Sequence, residues 1–272
     1  MKRFLVCLMA TLLLAAVLPM GQVFAETKPI LGDANGDGRI TAADASGLLR
    51  ITVGMASLAD GLAADCDFSG AINASDSSCL LRYVVGLQTF VVPGDLLYLG
   101  DKFDLDRTVT YDKDTSYDMS KFTFTNSNCT VKVSLEGGSD LVCKNAGEYR
   151  YTVTLGHPDY IIPGEAEGRL CIEKATYDMS GVTFEDSIQY RDDDSDEDTV
   201  ETHVITITGT LPEGVSVAYY CNGEPFEFAS QPGKYTIVAK FTGDYENYHE
   251  IPDMTAVLEI LKRWTGEWMS IG

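Results

Sequence analysis

Two acidic, glycine-containing loops in the same phase constrain this chain more than any other feature. GDANGDGRITAAD fills residues 32–44, and DCDFSGAINASD fills residues 65–76. Calcium takes six to eight oxygen ligands, and a short loop supplies them from positions 1, 3, 5, 7, 9 and 12, with glycine at position 6 for the sharp turn. On that phasing the first loop offers Asp33, Asn35, Asp37, the Arg39 carbonyl, Thr41 through a water, and Asp44, with Gly38 at the turn. The second offers Asp65, Asp67, Ser69, the Ala71 carbonyl, Asn73 and Asp76, with Gly70 at the turn. Ile40 and Ile72 both occupy position 8, where an apolar side chain packs one loop against the other. Acidic turns without metal are the alternative, and tandem repetition in identical phase argues against them. Two Ca2+ sites are expected.

The residues after each loop repeat too. DASGLLRITVGMASL, residues 44–58, aligns without a gap on DSSCLLRYVVGLQTF, residues 76–90. Each reads as a helix that starts at an aspartate, where a carboxylate meets the positive end of the helix dipole, and stops at Gly54 or Gly86. Before Asp33 stands ETKPILG, too short and proline-interrupted for an entering helix. Each unit is therefore loop then helix.

This arrangement resembles the dockerin family, the type I group in particular, over residues 28–90. The resemblance implies a small all-α, three-helix, calcium-binding module that binds a cohesin domain on a scaffolding protein, often in cellulose- and hemicellulose-degrading assemblies. It places partner contacts at loop positions 10 and 11 and on the following helix: Ala42, Ala43, Leu49 and Arg50 in one repeat, Ala74, Ser75, Leu81 and Arg82 in the other. Of the four loop positions only Ser75 carries a hydroxyl, where well-studied members often carry pairs. The two faces are nearly alike and imply docking in either of two orientations. Some sixty residues bury little surface, so metal is expected to carry part of the stability.

After Val92-Pro93-Gly94, read as a linker, Thr, Val, Tyr and Phe dominate. Strand alternation is plain in YRYTVTL (149–155), VITITG (204–209), VSVAYY (215–220) and YTIVAKF (235–241). SYDMSKFTFTNS (116–127) matches TYDMSGVTFEDS (176–187) at seven of twelve positions, and AGEYRYTVTLGHPDY (146–160) parallels PGKYTIVAKFTGDY (232–245). Two all-β modules are expected, residues 91–175 and 176–262. The second resembles the immunoglobulin-like MBG-type repeats of bacterial surface proteins, which implies β-sandwiches that extend, space or adhere. The insert RDDDSDEDTVE (191–201) reads as a solvated loop kept open by self-repulsion, with a third cation site as the alternative.

The N-terminus reads as a secretory signal over residues 1–25: Lys2 and Arg3, an apolar run, then Val23-Phe24-Ala25 before the cleavage point. Its removal takes away two positive charges, so the formal charge moves from −21 to −23. That excess repels nucleic acid and anionic membranes and favours cations. No later segment is apolar enough to span a bilayer, so an extracellular or scaffold-held location is expected. Six cysteines remain in the exported chain, at 66, 79, 129, 143, 171 and 221, and fifteen connectivities are open. Cys66 with Cys79, present in one repeat and absent from the other, is one candidate disulfide. Cys129 with Cys143, flanking an expected hairpin, is a second.

No HExxH, GxSxG, CxxC or phosphate-binding glycine loop occurs, and the three histidines are scattered. The reading is a secreted, non-catalytic dockerin protein, an accessory of a cell-surface or cellulosome-like polysaccharide-degrading complex. Its β modules would serve as spacer, adhesive or carbohydrate-contacting surface. Two alternatives stay open: a dockerin-bearing enzyme such as a glycoside hydrolase, whose paired carboxylates leave no sequence spacing, and a purely structural surface adhesin.

Overall fold

A computed structural model describes residues 28–58, 62–90, 95–138, 140–192 and 201–263. The signal segment, the Val92-Pro93-Gly94 linker and residues 193–200 of the acidic insert lie outside the described residues. Among the described residues, no helix is long and apolar enough to cross a membrane.

The N-terminal region builds two helices, α1 (Ala42–Thr52) and α2 (Ala74–Val84). Both begin in a reciprocal cap. The Thr41 hydroxyl accepts the Ala43 N–H while Asp44 Oδ2 accepts the Thr41 N–H at 2.9 Å. Asn73 Oδ1 accepts the Ser75 N–H at 2.7 Å while Asp76 Oδ2 accepts the Asn73 N–H at 2.8 Å. Each box satisfies amides that a helix start leaves unpaired. Both helices also end alike: Gly54 and Gly86 take positive φ, and the amides of Met55 and Leu87 reach back to the Arg50 and Arg82 carbonyls at 2.8 Å. Leu48 and Leu80, equivalent in the two repeats, are fully buried. The Ser77 hydroxyl donates to the Ala45 carbonyl at 2.7 Å and ties the helices together. The expected third helix is a single 3-10 turn, Leu62–Ala64.

The rest is β structure. The first β module contains β1 (Leu96–Tyr98), β2 (Asp101–Lys102), β3 (Asp106–Thr110), β4 (Tyr117–Asp118), β5 (Phe122–Phe124), β6 (Thr130–Leu135), β7 (Val142–Cys143), β8 (Gly147–Gly156) and β9 (Ala166–Glu173). Its main sheet runs β3-β9-β8-β6, beside a β2-β1-β5 sheet and the pair β4-β7. The first edge strand is parallel to the last: β3 places Arg107 opposite Leu170 of β9. The second module repeats this plan with β10 (Ser187–Asp192), β11 (Ser216–Cys221), β12 (Glu224–Pro225), β13 (Gly233–Thr242) and β14 (Met254–Arg263), in the order β10-β14-β13-β11-β12. Here too the first strand is parallel to the last, with Tyr190 opposite Leu261. Alternation sets the cores: Tyr151, Val153 and Leu155 point inward from β8, and Ile237, Ala239 and Phe241 from β13. Asn222 and Gly223, both at positive φ, make the tight turn between β11 and β12.

Two sequence expectations need correction. VITITG forms no regular strand; it makes only the isolated bridge Thr183–Thr208, because the Tyr219 hydroxyl accepts the Ile207 N–H at 2.9 Å. The YDMS repeat marks the same turn but different places. Asp118 and Asp178 each accept the N–H of the serine two residues on, at 3.0 Å in both cases. Yet the first copy follows edge strand β3, whereas the second leads into edge strand β10.

The two modules meet within one compact unit. Ala175 bridges Tyr248, and the buried Asn247 accepts the Ala146 N–H at 2.7 Å while its own amide donates to Asp244 Oδ2 at 2.8 Å. Tyr248 stacks on Tyr177 at 4.1 Å and meets Tyr111 edge-on at 5.4 Å.

Candidate metal centre

Each loop folds around its own carboxylates. In the first, Asp33 Oδ1 accepts the Gly36 and Asp37 amides at 2.8 and 3.1 Å, and Oδ2 accepts the Gly38 amide at 2.8 Å. Asn35 and Asp37 side chains take the Asp37 and Arg39 amides, at 2.8 and 2.9 Å. Asp44, fully buried, closes the loop by accepting the Asn35 amide at 3.3 Å and the Thr41 amide.

The second loop repeats the scheme. Asp65 takes the Ser69 amide at 3.0 Å and the Gly70 amide at 2.7 Å, and Asp76, fully buried, takes the Asp67 and Asn73 amides. Ser69 and Asn73 side chains both donate to the Ala71 carbonyl, at 3.2 and 3.0 Å, which gathers positions 5, 7 and 9. Carboxylate oxygens of Asp65, Asp67 and Asp76 lie within 4.8 Å of one another. Position 3 of the first loop is Asn35, so its oxygens come from mixed amide and carboxylate groups.

Such gathering is electrostatically costly. Burial pushes the Asp65 and Asp76 carboxyls above their usual range, and Asp76 raises Asp65 further. Among the described residues, no Lys or Arg forms an ion pair with any of the six loop aspartates. An all-oxygen donor set with uncompensated negative charge is chemistry that suits a hard divalent cation.

Residues 31–85 match the family model of the dockerin type I domain. This segment is a type I dockerin. No curated protein matches the chain. Solved structures with some likeness include chicken VE-cadherin EC1-2, at 12% identity and TM-score 0.22, covering 59% of this chain and 99% of that one. Another is the set of fibronectin(III)-like modules of Clostridium thermocellum CbhA, at 11% identity and TM-score 0.24, covering 60% and 93%. The titin I-band fragment I67-I69 matches at 13% identity and TM-score 0.23, covering 62% and 64%.

The dockerin exposes all eight expected partner residues: Ala42, Ala43, Leu49, Arg50, Ala74, Ser75, Leu81 and Arg82. Beyond them the helix ends add exposed Val53 and Met55 in one repeat, Val85 and Leu87 in the other.

The expected disulfides are not formed. Among the described residues, all six cysteines are free. Cys79 Sγ turns to the Cys66 carbonyl at 3.2 Å, and the two thiols stay separate in the dockerin interior. Cys129 and Cys143 do not face each other across a hairpin, because β6 pairs with β8 and β7 with β4. Sequence reasoning also missed Tyr160 and Ile161. They lie far along the chain from the loops, yet Ile161 bridges Ile30, and no local pattern announces the contact.

Proposed function

We propose that this protein is an exported, non-catalytic component that attaches through its dockerin, residues 28–90, to a cohesin module of a scaffolding protein in a calcium-dependent way. The observation that carries this reading is the twice-built oxygen loop, each copy closed by a buried aspartate that also starts a helix. Calcium, when bound, supplies the positive charge that the gathered carboxylates lack. Asp33, Asn35, Asp37, the Arg39 carbonyl, Thr41 and Asp44 would hold one ion; Asp65, Asp67, Ser69, the Ala71 carbonyl, Asn73 and Asp76 would hold the other. Asp44 and Asp76 belong to both the loop and the helix cap, so the residues that would hold each ion are also those that start α1 and α2. They would thereby tie ion binding to the faces that carry Leu49, Arg50, Leu81 and Arg82. The β modules, 91–175 and 176–262, serve as spacer or adhesive, in a cell-surface or polysaccharide-degrading assembly.

The test is capture of the full chain on a panel of immobilised cohesin modules, with calcium and with chelator. Capture in calcium and loss in chelator is the expected result; equal capture in both, or none on any cohesin, overturns the reading.

A second reading, that the first β module touches a polysaccharide, draws on a groove of about 800 Å³ across its main sheet, lined by Asp106, Glu136, Arg150, Glu167 and Arg169. Affinity electrophoresis in plant polysaccharides, with Arg150→Ala as control, decides it. Turnover in the same gels would favour an enzyme.

A further inference from the structure

The second β module buries one polar atom that no described group satisfies. His203 is only 5% exposed, and its Nε2 has no hydrogen-bond partner among the described residues. The residue is held in place by backbone. Its N–H donates to the Ala229 carbonyl at 2.8 Å, and its carbonyl accepts the Ala229 N–H at 2.9 Å. The other ring nitrogen, Nδ1, lies 3.0 Å from Gln189 Oε1 on edge strand β10.

Gln189 decides which ring nitrogen carries the proton. Its Nε2 donates to the Val204 carbonyl at 2.7 Å and to Ser187 Oγ at 3.3 Å. A flipped amide would set its oxygen against the Val204 carbonyl oxygen, two acceptors with no hydrogen between them. Oε1 therefore faces His203. A carbonyl oxygen only accepts, so Nδ1 is the donor and Nε2 of the neutral ring is a lone pair. The charged group beside that lone pair is another acceptor, Glu201 Oε1, 3.9 Å away. Glu201 is steadied there by Oε2, which accepts the Asp192 N–H at 3.2 Å. The nearby arginines are engaged elsewhere: Arg191 donates to the Ser230 carbonyl and to Gln231, and Arg263 pairs with Asp192.

A buried lone pair beside a carboxylate is costly until a cation joins them. Imidazole nitrogen is a poor ligand for calcium or magnesium and a good one for zinc and its neighbours. One zinc–nitrogen and one zinc–oxygen bond together span roughly 4.1 Å. An ion slightly to one side of the line between Nε2 and Oε1 thus reaches both. A movement of about half an ångström by the Glu201 side chain, itself 35% exposed, brings the angle to tetrahedral. Metal-binding histidines ordinarily donate their other ring N–H to a fixed acceptor, which sets tautomer and ring orientation; Gln189 does this here. We propose that His203 Nε2 and Glu201 Oε1 form a binding site for a divalent transition-metal ion of the zinc class, with Gln189 as its positioning residue and water completing the coordination. Such an ion ties residues 201–204 to β10 and to Ala229. Its nitrogen ligand sets the site apart from the oxygen loops of the dockerin, and it stands whether or not they bind calcium.

The experiment uses the full chain in excess calcium chloride, which occupies oxygen-only sites. Zinc chloride is titrated in while two-dimensional NMR follows the imidazole nitrogens. Before zinc, His203 shows the Nδ1–H tautomer. Zinc then shifts His203 Nε2 at lower concentration than any nitrogen of His157 or His249, and magnesium chloride does not. Calorimetry on variants adds a second readout: Glu201→Gln and Gln189→Met each weaken zinc at least tenfold, and Gln189→Met also mixes the His203 tautomers, which a purely structural role would leave alone. The wild-type titration decides the matter even where a variant fails to fold. A His203 Nε2–H tautomer before zinc, three histidines that respond alike, zinc affinity indifferent to Glu201→Gln, or an Nε2 that takes a proton on acidification but never zinc overturns the proposal.

Discussion

Single residues carry the tightest constraints in this protein, and Gly209 is the sharpest. Its φ is +102°, and a Cβ there would overlap the Gly181 carbonyl oxygen beside the Thr183–Thr208 bridge. Backbone cannot retreat as a flexible side chain could. Gly209→Ala is therefore expected to destabilise the second β module by about 3 kcal/mol, strain and overlap combined. Urea unfolding with a probe in that module checks it. Gly181→Ala, with open space around its Cβ, serves as the neutral comparison. Local spacing made the oxygen-bearing loop positions readable as a candidate ligand set, since each loop position is fixed by its distance from the next. Nothing in the sequence around Gly209 announced the crossing of two backbones, because the partner at Gly181 lies on another segment.

Among the elements, the β8–β9 connection invites a pH experiment. Burial holds the His157 imidazole below its usual value; Asp159, 3.9 Å away, opposes this and Lys28 adds to it. The folded connection thus prefers the neutral ring. Its contribution is full above the ordinary histidine value of 6.5 and is lost as pH falls through the lowered folded value. Protection of the Ile161 amide should accordingly drop on acidification below that point. His157→Asn, which keeps an acceptor for the Asp159 N–H and takes no proton, should flatten the profile in that range. How much of each element could be read beforehand follows from how local its cause is. Loop, cap and glycine stop all lie within one contiguous stretch, and α1 and α2 emerged from their spacing. The YDMS similarity was real but encoded an aspartate-to-serine turn, so it did not indicate where in each module the turn would stand. VITITG alternates like a strand, and what removes it from the ladder is a hydroxyl from Tyr219, twelve residues on.

At the scale of the molecule, one buried side chain, Asn247, adds to the bridge and ring contacts that join the β modules. Asn247 supplies an acceptor to Ala146 and a donor to Asp244 from a buried position, while its carbonyl accepts the Ala175 N–H at 3.0 Å. Asn247→Ala leaves the Ala146 amide without its partner, at a cost of about 2 kcal/mol. Small-angle scattering of the full chain should then show a larger radius of gyration with both modules still folded; unchanged scattering would count against this latch. Parallel edge pairing adds a mechanical consequence. The first module puts β1 and β2 ahead of β3, the strand beside its last, β9, but the second has its first and last strands as neighbours, β10 beside β14. Drag on a particle tethered through such a module would pull those neighbours lengthwise past one another. The rungs between them then share the load and must break together, which makes the tether stiff under flow where a peeling geometry would yield rung by rung.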